Sequence, residues 1–133
     1  MSPSVTYLDS SALIKLVVEE VESEALRRYL GADPPLLTSC ALARTEVMRS
    51  VGPLGAKASV AGRALLRRLH LIAIDDALLE RAATLQPATL RTLDAIHLAT
   101  AMSIADDLTA LVAYDRRMLE AAGELGLPTA SPV

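Results

Sequence analysis

Short apolar runs alternate along this chain with longer segments that carry apolar residues at helical spacing. The short runs predict strands over residues 5–8, 36–38, 71–74 and 110–113, with a final edge strand at 127–129. The longer segments predict helices over residues 12–18, 22–30, 41–51, 56–69, 77–85, 93–105 and 116–123. Such alternation is typical of a parallel sheet covered on both faces. The pattern therefore predicts an α/β fold of three layers, with a mostly parallel sheet of four or five strands between helices.

Polar and helix-breaking residues mark the ends of these segments. Gly31 and the Asp33-Pro34-Pro35 segment are expected to stop the second helix, and residues 52–55 predict a turn. N-caps are expected at Ser10 or Ser11, Ser39, Asp75 or Asp76, and Thr92. No linker or repeat divides the chain, so we expect residues 1–133 to form one domain.

Composition predicts which residue types form the core and which cellular compartment holds the protein. Of the 133 residues, 52% are hydrophobic but only 2% are aromatic, so Leu, Ala, Val and Ile must build the core. Cys40 is the only cysteine and cannot form an internal disulfide, so we expect it to be a small buried residue in a reducing cytoplasm. No apolar run reaches the roughly 18 residues of a membrane span, and residues 1–4 do not look like a signal peptide.

The net charge of −3 argues against a protein that coats nucleic acid through bulk charge. It does not exclude an enzyme that acts on RNA, because acids gathered around a cation can make the total acidic while arginines elsewhere hold phosphates. Arg91, Arg116 and Arg117 are candidate phosphate contacts, although a solvated surface role fits them equally well.

Four carboxylates lie directly after predicted strands or on predicted helices. Asp9 follows the first strand, Asp115 follows the fourth, Glu46 lies on the helix after the second, and Asp94 lies in the first turn of the long helix. Sites in such folds form beyond the carboxyl ends of the strands, where these acids would repel one another unless a cation neutralised them. Oxygen ligands favour Mg²⁺ or Mn²⁺ over zinc. Each acid also has a structural explanation, as a cap, a first-turn acid or a solvated helix face.

The residues around these acids resemble the motifs of PIN-domain toxins of the VapC type. Residues 7–16 (YLDSSALIKL) and 93–99 (LDAIHLA) are similar to the first and third motifs of that family, which are specific. Residues 41–47 (ALARTEV) and 113–115 (AYD) are similar to its second and fourth motifs, which are weak alone. The resemblance spans almost the whole chain. One departure is Ala113, where the family often has Thr or Ser, so Asp115 lacks a supporting hydroxyl.

The resemblance implies a PIN-like fold and a metal-dependent endoribonuclease, the toxin of a VapBC-type toxin–antitoxin pair. Its catalytic and metal-binding residues would be Asp9, Glu46, Asp94 and Asp115. Asp9 and Asp94 would bind Mg²⁺ (or Mn²⁺) most directly, and the other two would complete the shell or hold its waters. In-line attack of an activated water would leave a 5′ phosphate. The resemblance also implies an RNA substrate, a VapB-type antitoxin, and assembly as a homodimer or a toxin–antitoxin hetero-oligomer.

Two other functions remain open. A phosphoacceptor signalling domain also has an acidic Mg²⁺ pocket, but it needs a lysine after a late strand, and the only lysines are Lys15, expected at the surface, and Lys57. A PIN fold without activity could serve as a binding scaffold, which the intact acids disfavour and Ala113 favours. His97 lies three residues after Asp94, and we expect it to be a packed or hydrogen-bonded histidine rather than a catalytic base.

Overall fold

The computed structural model describes residues 5–32 and 36–133, so the predicted stop at Asp33-Pro34-Pro35 lies outside the described residues. Within these ranges five strands form one parallel sheet in the order β3-β2-β1-β4-β5. They are β1 (Val5–Leu8), β2 (Leu36–Cys40), β3 (His70–Ile72), β4 (Leu108–Val112) and β5 (Thr129–Ala130). The predicted α/β fold with a central parallel sheet is confirmed, and the edge strand near residue 128 makes the fifth strand.

Helices connect the strands, and every predicted helix is present with ends shifted by a few residues. They are α1 (Ser10–Lys15), α2 (Ser23–Leu30), α3 (Ala43–Val51), α4 (Ala56–Arg68), α5 (Asp76–Ala83), α6 (Thr92–Ser103) and α7 (Arg116–Glu124). The predicted turn at residues 52–55 contains a short 3₁₀ helix, Gly52–Leu54. Among the described residues no helix is both long enough and apolar enough to cross a bilayer.

Alternate residues of the central strands pack against opposite layers of helices. Leu8 of β1 and Val112 of β4 belong to one apolar cluster with buried residues of α1 to α4. Their neighbours Tyr7 and Leu111 belong to a second cluster with residues of α6 and α7. This period of two is the geometry of a strand buried on both faces. The sheet is therefore the middle of three layers, as the pattern predicts.

Three of the predicted helix caps are wrong. Asp9, not Ser10 or Ser11, caps α1: its Oδ1 accepts the Ala12 N–H at 3.0 Å, while Ser10 already has helical backbone. The other two corrections concern β2 and α6. Ser39 is buried within β2, and Thr92 is the first residue of α6, where no side chain caps the helix.

The caps at α5 and α7 come from aspartates. Asp75 caps α5 as predicted, with 2.8 Å from Leu78 N–H to its Oδ1. Asp115 caps α7, with 2.8 Å from Arg117 N–H and 3.2 Å from Met118 N–H to its Oδ1. A carboxylate placed directly before the first helical residue reaches the free N–H groups of the first turn, which a side chain inside that turn does not.

Candidate active site

The four predicted acids all lie at the start of a helix on the carboxyl side of the sheet. Asp9 and Asp115 are the N-caps of α1 and α7, and Glu46 and Asp94 lie in the first turns of α3 and α6. Parallel strands end on the same edge of a sheet, so α1, α3 and α7, which follow β1, β2 and β4, begin there. The helix α6 follows α5 instead, and the start of α6 lies near the same acids, since the charges of Asp115 and Glu46 act on Asp94. The positive ends of four helix dipoles therefore stabilise the charges of these carboxylates.

Capping occupies only one oxygen of Asp9 and of Asp115. Asp9 Oδ1 accepts both the Ala12 N–H and the Ser11 hydroxyl, the latter at 2.7 Å. Asp115 Oδ1 accepts both backbone N–H groups of its cap. The Oδ2 atoms of these two acids accept no hydrogen bond from the residues described. A structural cap and a cation ligand are therefore compatible roles for each residue, since the second oxygen is available.

The charges of the four acids interact through Asp94. Burial raises the pKa of Asp94, and the charges of Asp115 and Glu46 raise it further against the opposing effect of Arg91 and His97. Burial also raises the pKa of Asp9, which is 5% exposed, and the Asp94 charge adds to that effect. Like charges close enough to shift one another's pKa values repel in the absence of a counter-ion. This is the electrostatic condition that the sequence predicts for the acid group.

Glu46 does not lie on a solvated helix face. It is half-buried, and its Oε1 lies 2.7 Å from His97 Nε2 and also accepts the Ser10 hydroxyl. His97 is 1% exposed, and its Nδ1 lies 2.7 Å from Tyr7 Oη. His97 is thus packed and hydrogen-bonded, as we expected. Tyr7 is not among the residues predicted from the sequence, although a hydroxyl inside an otherwise apolar buried strand is a signal that a polar partner is near.

The contact between Glu46 and His97 favours their ionised forms. Burial lowers the pKa of His97, but the hydrogen bonds and charges of Cys40 and Glu46 outweigh burial and raise it to about 10. Burial raises the pKa of Glu46, but its hydrogen bonds with His97 and Ser10 bring the pKa below its usual value. The carboxylate is therefore charged at neutral pH. Cys40 is fully buried, as expected, with its Sγ 3.7 Å from His97 Nδ1.

The cationic side chains near the acids differ in whether they already contact an acid. Arg91, Arg116 and Arg117 are exposed near the starts of α6 and α7, and none makes an ion pair with the residues described. The expectation that Lys15 is a surface residue is wrong. Its side chain is 11% exposed, because Nζ lies over the Tyr114 ring and 3.4 Å from Glu22. The arginines remain available to an anionic ligand, whereas the Lys15 charge is already paired.

The donor set suits a hydrated hard cation better than a closed cage of protein ligands. Within residues 5–32 and 36–133, no three His, Cys, Asp or Glu side chains lie close enough together to enclose an ion. Mg²⁺ commonly keeps several waters and is held through one or two carboxylates, whereas structural zinc sites use four converging N or S ligands. Carboxylate oxygens that repel each other, with Oδ2 of Asp9 available, fit the first type of site.

Comparisons with known proteins show the family to which this chain belongs. A sequence model of the PIN domain matches residues 6–124, and the chain belongs to the PIN-domain family. Ribonuclease VapC46 of Mycobacterium tuberculosis (strain ATCC 25618 / H37Rv) is 52% identical over 126 residues, which cover 95% of this chain and 96% of that protein. Ribonuclease VapC47 of Mycobacterium tuberculosis (strain CDC 1551 / Oshkosh) is 43% identical over 131 residues, with the same coverage of 95% and 96%.

A solved structure supports the fold independently of sequence. Mycobacterium tuberculosis VapC20, a sarcin-ricin loop cleaving toxin, matches with a TM-score of 0.73 at 16% identity, over 96% of this chain and 99% of that one. The predicted PIN-like fold and the resemblance to VapC-type ribonucleases are confirmed. The family match rules out the alternative of a phosphoacceptor signalling domain. One domain over residues 1–133 stays a prediction, since the family match spans residues 6–124.

Proposed function

We propose that this chain is a divalent-metal-dependent endoribonuclease, the toxin of a VapBC-type pair, with Asp9, Glu46, Asp94 and Asp115 as its acid site. The observation that carries the proposal is the position of these acids at four helix starts near one sheet edge. There the charges of Asp115 and Glu46 raise the pKa of Asp94, and the charge of Asp94 raises the pKa of Asp9. Helix dipoles alone stabilise a carboxylate by only about 0.3–1 kcal/mol, so repulsion within such a group favours binding of a cation.

Each acid has a defined part in this proposal. Asp9 and Asp94 bind the cation most directly, and their electrostatic coupling supports a shared ion. Glu46, held by His97 and Ser10, and Asp115, held by its cap, complete the shell or orient its waters. Bound Mg²⁺ or Mn²⁺ supplies the Lewis acid that activates water and stabilises charge on the scissile phosphate.

Substrate phosphates require positive groups beside this acidic centre. Arg91, Arg116 and Arg117 are exposed next to Asp94 and Asp115, at the N-terminal ends of α6 and α7. Helix N-termini and guanidinium groups both bind phosphate oxygens. The ribonuclease names of the relatives and the sarcin-ricin loop cleavage by VapC20 support RNA as the substrate class. The VapC relationship likewise supports a VapB-type antitoxin, a homodimer or toxin–antitoxin hetero-oligomer, and action in the cytoplasm.

RNA cleavage with and without metal tests the proposal. Purified protein should cut total RNA with Mg²⁺ or Mn²⁺, stop in EDTA, and resume when Mg²⁺ is restored, because hard oxygen ligands are offered at this edge. The downstream products should carry a 5′ phosphate, so a ligase should join them directly to an adaptor oligonucleotide that ends in a 3′-OH. Complete cleavage in EDTA by a pure preparation would rule out the metal mechanism.

Two observations favour the alternative of a binding scaffold without activity. No three acids of the described residues enclose an ion, and Ala113 offers no hydroxyl beside Asp115. A scaffold should bind RNA in Mg²⁺ and leave it intact, so the same assay, read together with RNA retention on a filter, separates the two functions.

A further inference from the structure

A chain of hydrogen bonds runs from the core of the sheet to Glu46. Tyr7 Oη lies 2.7 Å from His97 Nδ1, and His97 Nε2 lies 2.7 Å from Glu46 Oε1. Tyr7 is fully buried, and its ring meets the imidazole edge to face with centroids 5.8 Å apart. Packing on β1 and α6 therefore fixes the plane of the imidazole, and the two hydrogen bonds fix its rotation.

The direction of the bond to Glu46 is the same in both protonation states of His97. In the neutral ring, Tyr7 donates its O–H to Nδ1, which leaves the proton on Nε2 to be donated to Glu46. In the charged ring both nitrogens donate, Nδ1 to Tyr7 Oη and Nε2 to Glu46. Nε2 is therefore a donor to Glu46 whatever the charge of the ring.

Both hydrogen bonds to Glu46 end on the same oxygen. His97 Nε2 and Ser10 Oγ both approach Oε1, and Oε2 accepts no hydrogen bond from the residues described. Two donors on one oxygen hold the carboxylate in a single rotamer and leave the other oxygen available. Hydrogen bonds of this kind orient carboxylates that bind metal and are worth about 10- to 100-fold in affinity or activity.

We propose that Tyr7 and His97 form a positioning relay for Glu46, which fixes the carboxylate so that Oε1 takes the protein hydrogen bonds and Oε2 is presented to the cation or its waters. This inference rests on the proposed function and adds two residues to it. His97 is not the catalytic base here: at 1% exposure, with both ring nitrogens in hydrogen bonds, it has no access to substrate.

Three variants and one control separate positioning from general stability. Tyr7→Phe removes only the hydroxyl, His97→Leu removes the donor to Glu46, and His97→Gln replaces that donor with an amide N–H. The control is Ser23→Ala at the start of α2, which loses a buried hydroxyl bonded to Glu20 N–H and Val18 C=O and touches none of the acids. Each protein is tested at a temperature where its melting curve shows it folded.

Binding of Mn²⁺, followed through the EPR signal of the free ion, is the main measurement, with RNA cleavage beside it. His97→Leu should bind Mn²⁺ about 10-fold more weakly or worse. Tyr7→Phe should bind about 5-fold more weakly, as expected for one hydrogen bond of ordinary strength. His97→Gln should recover to within about threefold of the parent, and Ser23→Ala should bind as the parent does although it melts lower.

Imidazole ¹⁵N NMR of the metal-free protein provides a readout independent of metal and activity. The chain has two histidines, and the exposed His70 serves as the internal reference. His97 should carry a proton on Nε2, and a proton on Nδ1 alone would overturn the relay. Parent-like Mn²⁺ affinity and cleavage in folded Tyr7→Phe and His97→Leu would also overturn it while leaving the proposed function intact. A parent protein that neither binds Mn²⁺ nor cleaves RNA would overturn both.

Discussion

Replacing Asp94 by Asn removes one negative charge from the centre of the acid group and leaves the side-chain shape almost unchanged. In the metal-free protein two effects oppose each other. The charge loses its favourable interaction with the dipole of α6, about 0.3–1 kcal/mol. The burial of the charge and its repulsion from Asp115 and Glu46, which together raise the pKa of Asp94, disappear as well. The free energy of unfolding in EDTA should therefore change by less than about 1 kcal/mol, or roughly 4 °C in melting temperature.

The same substitution should have a large effect once metal is present. A site at 100 times its dissociation constant stabilises the parent by about 2.7 kcal/mol, or roughly 10 °C. Asp94→Asn should lose most of that shift, because an amide does not supply the charge that the cation needs. RNA cleavage should fall by about 100-fold or more, since a metal ion contributes several kcal/mol of transition-state stabilisation.

Asp76→Asn is the matched control, because Asp76 is an exposed first-turn acid of α5 that is not part of the acid group. It should lose about 0.3–1 kcal/mol of stability and keep both the Mg²⁺-induced shift and the cleavage rate of the parent. Melting in EDTA, melting in a Mg²⁺ titration and initial cleavage rates are measured on all three proteins. Cleavage at the parent rate by Asp94→Asn would refute the assignment of this motif to the metal site.

Two further predictions concern stability. In EDTA, lowering the pH from neutral toward the raised pKa values of Asp9 and Asp94 should raise the melting temperature, because burial and mutual repulsion make these acids bind protons more readily in the folded chain than in the unfolded chain. Asp94→Asn should show a smaller rise, and an equal rise in that variant would contradict a raised pKa of Asp94 in the folded chain. Gly62→Ala places a methyl group 2.9 Å from Val51 Cγ2 and should cost about 1–2 kcal/mol, whereas Gly123→Ala, with no atom within 4 Å, should gain about 0.5–1 kcal/mol; thermal melting of both variants checks the close packing of α3 and α4.

Local pattern was sufficient to predict the fold of this chain. Apolar runs of strand length alternate with helical periods, and that alternation permits few arrangements other than a parallel sheet between helix layers. Asp9, Glu46 and Asp115 could be predicted at one sheet edge without coordinates, because the end of a parallel strand and the start of the helix that follows it lie there; their role in a metal site stays a prediction. The motifs around Asp9 and Asp94 predict the family directly from the sequence.

Local pattern predicted the helix caps poorly and misjudged the exposure of one charged residue, Lys15. Ser10, Ser39 and Thr92 were predicted as caps by residue type alone, but capping depends on where the backbone turns, and a shift of one residue transfers the cap from Ser10 to Asp9. Lys15, about one helical turn from Ser11, is expected at the surface, whereas the folded chain places it over the Tyr114 ring.

The tertiary structure alone decided what Glu46 contacts. Glu46 and His97 are 51 residues apart in the chain, and Tyr7 and His97 are 90 residues apart, so no local period relates them. They meet because β1, α3 and α6 pack together and because a buried imidazole must satisfy both of its nitrogens within reach. Sequence predicted which acids form the candidate site, whereas long-range packing determined how Glu46 is held and which of its oxygens is left available.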